Sequence, residues 1–169
     1  MYLIEVVDYD PNYPEAFEEE RGVLVAALGD HLVDVHHFGS TAVLGLAGKA
    51  RVDILLECTS AEPEPDAQLT IECLGYALSP NLEKLQHYAW NREGNPAYAL
   101  HWQPAGSPGV AAAVRFRDLL RSDADLRDRY AAIKREAARL YPWDSWRYNQ
   151  HKAAVIQTAL RGGAPRAIS

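Results

Sequence analysis

The stretch from Phe38 to Leu56 places the tightest limits on what this chain can become. It reads as the end of one strand, a crossing of small residues, and a second strand that opens with one carboxylate. Glycines at 39, 45 and 48 let backbone amides come close to a ligand, because glycine has no Cβ to hold it off. Ser40 and Thr41 add hydroxyls, and Lys49 and Arg51 add positive charge. Asp53 heads an apolar run, where a carboxylate is expensive unless it is paired or bound to a metal. This combination suits a phosphate or nucleotide site. A plain tight loop between two strands is the competing reading.

The elements around that stretch follow from local patterns. Residues 3–7 predict a short edge strand. Pro14 fits the first helical position, and Phe17, Leu24 and Leu28 recur at helical spacing up to a stop at Gly29. Residues 32–38 alternate as a strand, and 51–58 read as a strand buried on both faces. Pro63 and Pro65 mark a loop before a helix over 66–74. Runs at 84–91 and 97–103, parted by Asn91-Arg92-Glu93-Gly94-Asn95-Pro96, predict a hairpin. From Val110 the chain turns helical: one helix over 110–121, a second capped by Ser122 and running to Leu140, and a third over 145–161. The expected fold class is α+β: a mixed sheet flanked by helices, with a helical C-terminal third. Residues 1–163 make one expected domain, and 164–169 a disordered tail.

Composition narrows the classes. The chain has 169 residues and a net charge of −6, and its longest block of like charge is Glu18-Glu19-Glu20. Nucleic-acid binding is disfavoured, since such domains are more often basic. Cys58 and Cys73 have no metal-ligand spacing and are expected as buried thiols in a reducing compartment. The first residues lack the basic and long apolar regions of a signal peptide, and no apolar run approaches a membrane span. A cytoplasmic protein without membrane partners is expected.

The central stretch resembles the nucleotidyltransferase signature. There a Gly-Ser or Gly-Gly pair ends one element, and a carboxylate pair follows on the next strand. The resemblance implies divalent metal on the carboxylates and a nucleoside triphosphate on the metal. Gly39-Ser40 and Asp53 match. The second carboxylate falls at Leu55 and is absent, although two ligands on one strand face must stand two residues apart.

A closer resemblance is to the GrpB family, a branch of that fold. It rests on Val7-Asp8-Tyr9-Asp10-Pro11, Tyr13-Pro14, His37-Phe38-Gly39-Ser40-Thr41-Ala42-Val43, Gly45-Leu46, Lys49 and Val52-Asp53-Ile54-Leu55. It continues through Leu74-Gly75-Tyr76, Leu100-His101, Phe116-Arg117-Asp118-Leu119-Leu120-Arg121, Tyr130 with Lys134, and Tyr148 with Lys152. The family implies a nucleotidyltransferase-like mixed sheet and leaves the reaction unassigned. Some members are fused to other enzymes, including dephospho-coenzyme A kinase. The chain departs from the family pattern at Leu44 and Ala50, where proline is usual, and at Ala99, where a His-Leu-His triplet often begins.

Two functions fit these residues. One is transfer of a nucleotidyl or phosphoryl group to a small acceptor. Asp53, Lys49 and Arg117 would be catalytic. Gly39, Ser40, Thr41, Arg51 and Lys152 would hold the nucleotide, and Asp53 with His101 would hold Mg²⁺ or another divalent ion. The other is a nucleotide- or metabolite-binding module that lost catalysis with its second carboxylate. A weaker third is a partner for a fused or neighbouring enzyme. Structural readings stand beside these: Asp53 neutralised by Lys49 or Arg51, His101 as a core histidine, Arg117-Asp118 as a brace, and Trp143 with Trp146 as core anchors. Of the adjacent His36 and His37, only one can face the site, and His37 is the better family match.

Overall fold

The computed structural model describes residues 3–79 and 88–162. Helix α1 spans Tyr13–Leu28 and buries Tyr13, Phe17, Glu20, Leu24 and Leu28, a single stripe at helical spacing. A one-turn 3-10 helix at Gly29–His31 leads into strand β1, Leu32–Phe38. A second 3-10 turn, Ser40–Ala42, begins the crossing to β2, Arg51–Cys58. Helix α2 (Pro65–Cys73) is followed by β3 (Ala77–Leu78), β4 (Tyr88–Arg92) and β5 (Ala97–Pro104). Helices α3 (Pro108–Ser122), α4 (Ala124–Leu140) and α5 (Ser145–Leu160) complete the described chain.

The described strands form a five-stranded mixed sheet in the order β1-β2-β5-β4-β3. Only the β2–β5 pair is parallel. In its register Asp53 faces Ala99, and Leu55 faces His101. On the other side Phe38 pairs with Asp53, and His36 with Leu55. Paired residues project to the same side of a sheet. One face therefore carries a row Phe38–Asp53–Ala99 and, one pleat along, a row His36–Leu55–His101.

The opposite face of β2 is Val52, Ile54, Leu56 and Cys58, all with no exposed surface. It packs with Phe17, Leu24 and Leu28 of α1, Ala67 and Ile71 of α2, and the two strand tryptophans Trp90 and Trp102. Glu20 lies inside this layer because its carboxylate accepts from the Tyr76 hydroxyl at 2.8 Å and from Arg92. The Arg92 guanidinium is stacked between the Tyr76 and Tyr98 rings at 4.6 and 4.7 Å. A buried carboxylate so satisfied costs little. A second apolar cluster joins Val43 and Leu46 of the crossing loop to Leu120, Leu126 and Tyr130 of α3 and α4.

Several expectations change. Residues 3–7 form no regular strand: Val7 makes an isolated antiparallel bridge to Gly48, and Ile4 N–H donates to the Pro142 carbonyl. Ser122 does not cap α4. Its hydroxyl bonds back to the Asp118 carbonyl, and Asp123 caps instead, accepting from Leu126 N–H at 2.9 Å. Cys58 is buried, and burial pushes its thiol up to about 12, but Cys73 is exposed. Trp143 and Trp146 are not core anchors, being 54% and 68% exposed. The start of the expected strand at 84–87 and the expected tail at 164–169 lie outside the described residues.

Candidate functional site

The site grows from the turn at the end of β1. Gly39 has φ +71°, and a Cβ there would stand 2.6 Å from Asp53 Oδ2. Only glycine lets the loop lie this close over the carboxylate. Gly48 has a similar role at the far end of the loop: a Cβ would stand 2.5 Å from the Ser40 Cβ and 3.3 Å from Lys134 Nζ. Between them Val43 and Leu46 are sunk into the helical cluster, and Arg121 Nε donates to the Ala42 carbonyl at 2.9 Å. Gly48 is held by the paired backbone bonds to Val7 at 2.8 and 3.0 Å. The loop is thus a fixed platform, clamped from the N-terminal segment and from α3.

Asp53 is engaged from its own strand. Arg51 Nε donates to Asp53 Oδ1 at 3.0 Å, and Nη2 of the same guanidinium forms an ion pair with that oxygen at 2.9 Å. The two residues are two apart on β2 and so share a face. Burial works to raise the Asp53 carboxyl, but Arg51, His101 and Lys152 outweigh it and hold it below the ordinary carboxylate value.

Three lysines gather around this pair. Lys49, from the loop, and Lys152, from α5, lie over the Tyr148 ring at 4.8 and 4.9 Å. Tyr148 is itself 1% exposed and stands one helical turn before Lys152. Lys134, from α4, donates to the Ser40 hydroxyl and lies 5.1 Å over the Tyr130 ring. Burial pushes all three ammonium groups down: Lys49 and Lys152 to about 8 and Lys134 to about 7. Asp53 opposes that shift in each case.

Gly39, Ser40, Lys49, Arg51, Asp53 and Lys152 come together, and His101 shares their sheet face, its ring edge-on to Phe38 at 5.1 Å. Thr41 is 2% exposed and turned away, its hydroxyl bonded to His37 Nε2 at 3.0 Å. His37 is on the core face, stacked on Phe17 at 4.6 Å, and burial holds it down at about 4. His36 is the member of that pair on the Asp53 face, bound to Glu57 at 2.8 Å. Arg117 bonds to the neighbouring Asp118 and to the His37 carbonyl, at 2.8 and 3.1 Å. Lys134 was the residue to look for: Leu126, Tyr130, Lys134 and Ala137 form the buried stripe of α4, and a lysine in that register announces an internal partner.

The donors do not match the divalent ion that the nucleotidyltransferase resemblance implies. Leu55, at the second carboxylate position, is 3% exposed and apolar. Oδ1 of Asp53 already accepts from Arg51 Nε and pairs with Nη2, and Oδ2 is the atom that a Gly39 Cβ would approach to 2.6 Å. Among the described residues no group of three or more His, Cys, Asp or Glu side chains is placed to hold a metal ion. One carboxylate shared with Arg51 and surrounded by lysines does not fit a hard dication, which needs several oxygen ligands.

The comparisons agree with this architecture. The family model described as GrpB protein matches residues 3–161. The UPF0157 protein of Halalkalibacterium halodurans is 31% identical over 162 residues, covering 94% of this chain and 81% of that protein. The crystal structure of GrpB from Enterococcus faecalis superposes with a TM-score of 0.81 at 23% identity, over 94% of this chain and 98% of that one. A terminal uridylyl transferase of Trypanosoma brucei with bound UTP gives a TM-score of 0.54 at 17% identity, over 92% of this chain and 52% of that enzyme. These likenesses establish a nucleotidyltransferase-like fold. With a match that runs from the N-terminal segment through α5, the chain belongs to the GrpB family.

Proposed function

We propose that this protein binds a phosphorylated small molecule, a nucleotide in the first instance, between the Gly39–Lys49 loop and the facing sides of α4 and α5. The observation that carries this reading is the charge balance: Lys49, Arg51, Lys134 and Lys152 surround one carboxylate in a chain whose net charge is −6. Local concentration of one sign in a partly dry site selects ligands of the other sign. Lys49 and Lys152 would meet phosphate oxygens from a shared aromatic base. Ser40 and the loop amides would orient the phosphates, and Arg51 would be held in place by Asp53. The nucleotide class comes from the fold neighbour, which carries UTP.

A second reading is transfer to a small acceptor, and the Lys134–Ser40 contact favours it. A lysine pushed down to about 7 can take a proton from a hydroxyl held at its Nζ. Arg117, tied to the His37 carbonyl, and Thr41, tied to His37, would then brace the loop rather than touch ligand.

A thermal-shift screen of nucleoside triphosphates tests the binding reading. Wild type should be stabilised by at least one nucleotide, and Lys49→Ala/Lys152→Ala should lose that shift while remaining folded. Absence of any shift in wild type, or an equal shift in the double variant, overturns it.

A further inference from the structure

We infer that the site takes its polyphosphate without a divalent ion, the lysines supplying the charge that a metal would otherwise supply. The inference rests on the phosphate-site reading above and deepens it. Three observations lead to it. Among the described residues, the one strand carboxylate on this face near the loop is already paired: two guanidinium nitrogens of Arg51 converge on Asp53 Oδ1, and a Cβ at Gly39 would stand 2.6 Å from Oδ2. The place for a second carboxylate is the buried Leu55, flanked in register by His36, already bound to Glu57, and by His101. And three ammonium groups come from three separate elements, the loop, α4 and α5.

Lysine is a compact point charge that binds phosphate well, and Arg51 adds a planar fork. A dication placed among them would meet like charge on several sides. The same field ranks the ligand's own ionic forms. A free nucleoside triphosphate carries more negative charge than its Mg²⁺ complex, so the free form is the better match. Asp53 then acts as a positioning residue. It holds Arg51 against the sheet and moderates the repulsion among the cations, without bonding to a metal.

Isothermal titration of the full chain with ATP and with inorganic tripolyphosphate, in EDTA and in excess Mg²⁺, decides the matter. The expected result is binding in EDTA that weakens by roughly tenfold in Mg²⁺. Equal or stronger binding in Mg²⁺ overturns the inference and leaves the phosphate site standing. No binding of either probe in either buffer overturns the phosphate-site reading together with it.

Discussion

The two faces of β2 make opposite use of one eight-residue strand. Val52, Ile54, Leu56 and Cys58 point into a dry layer under α1 and α2 and show no surface. Arg51, Asp53 and Glu57 point the other way and stay partly exposed among cations and histidines. The apolar face fixes where the strand lies. The charged face inherits that position and spends it on holding Asp53 under Gly39. The site's position is set by packing on the opposite face, so scaffold and ligand binding can be perturbed separately.

The largest expected effect is on the dry face. Leu56→Ala, at a position with no exposed surface, should cost about 3 kcal/mol in denaturant unfolding and leave phosphate affinity of the folded fraction unchanged. A matching loss of affinity would break the separation of the two faces. Gly39→Ala should come next. Its φ of +71° and the 2.6 Å approach to Asp53 Oδ2 predict a loss of about 2 kcal/mol, and here ligand binding should be lost too.

The faces also titrate in different windows. Lys134 is held down at about 7 in the folded protein, so between pH 7 and its ordinary range the unfolded chain binds the extra proton. Stability should therefore rise with pH above 7, by roughly 2 kcal/mol up to pH 9 from Lys134, with Lys49 and Lys152 adding to the rise above pH 8, and Lys134→Met should reduce it. On the dry face His37 is held down at about 4. Between pH 4 and 6.5 the unfolded histidine takes a proton that the folded one refuses, so stability should fall as the solution is acidified. His37→Gln should remove that part of the acid slope while leaving the alkaline one. Paired pH–denaturation series on the two variants check both windows, and a crossed result would contradict the assignment of faces. The smallest effect is expected at Asp118, which pairs with Arg117 and Arg121 at an exposed edge. Asp118→Ala should change stability by about 0.5 kcal/mol or less and not touch ligand affinity.

Local pattern was enough for the scaffold. The stripe Phe17-Leu24-Leu28, the alternation over 32–38 and the apolar run after Asp53 are repeats of fixed period, and a period names both an element and its buried side. The resemblance to the nucleotidyltransferase signature aligned Gly39-Ser40 and Asp53, and left Leu55 where a carboxylate was missing. Other features depend on contacts far apart in the chain, which no period encodes. Periodicity says that His36 and His37 oppose one another, but only the pairing of β1 with β2 says that His36 shares the face of Asp53. Trp143 and Trp146 are apolar enough for a core, yet the turn before α5 leaves them outside. Lys134 meets Ser40 across 94 residues, and Lys152 reaches the Tyr148 ring that Lys49 shares. Short-range spacing is written in the order of residues. The charge of the site is a sum over lysines from three elements, and such a sum exists only once packing has brought those elements together.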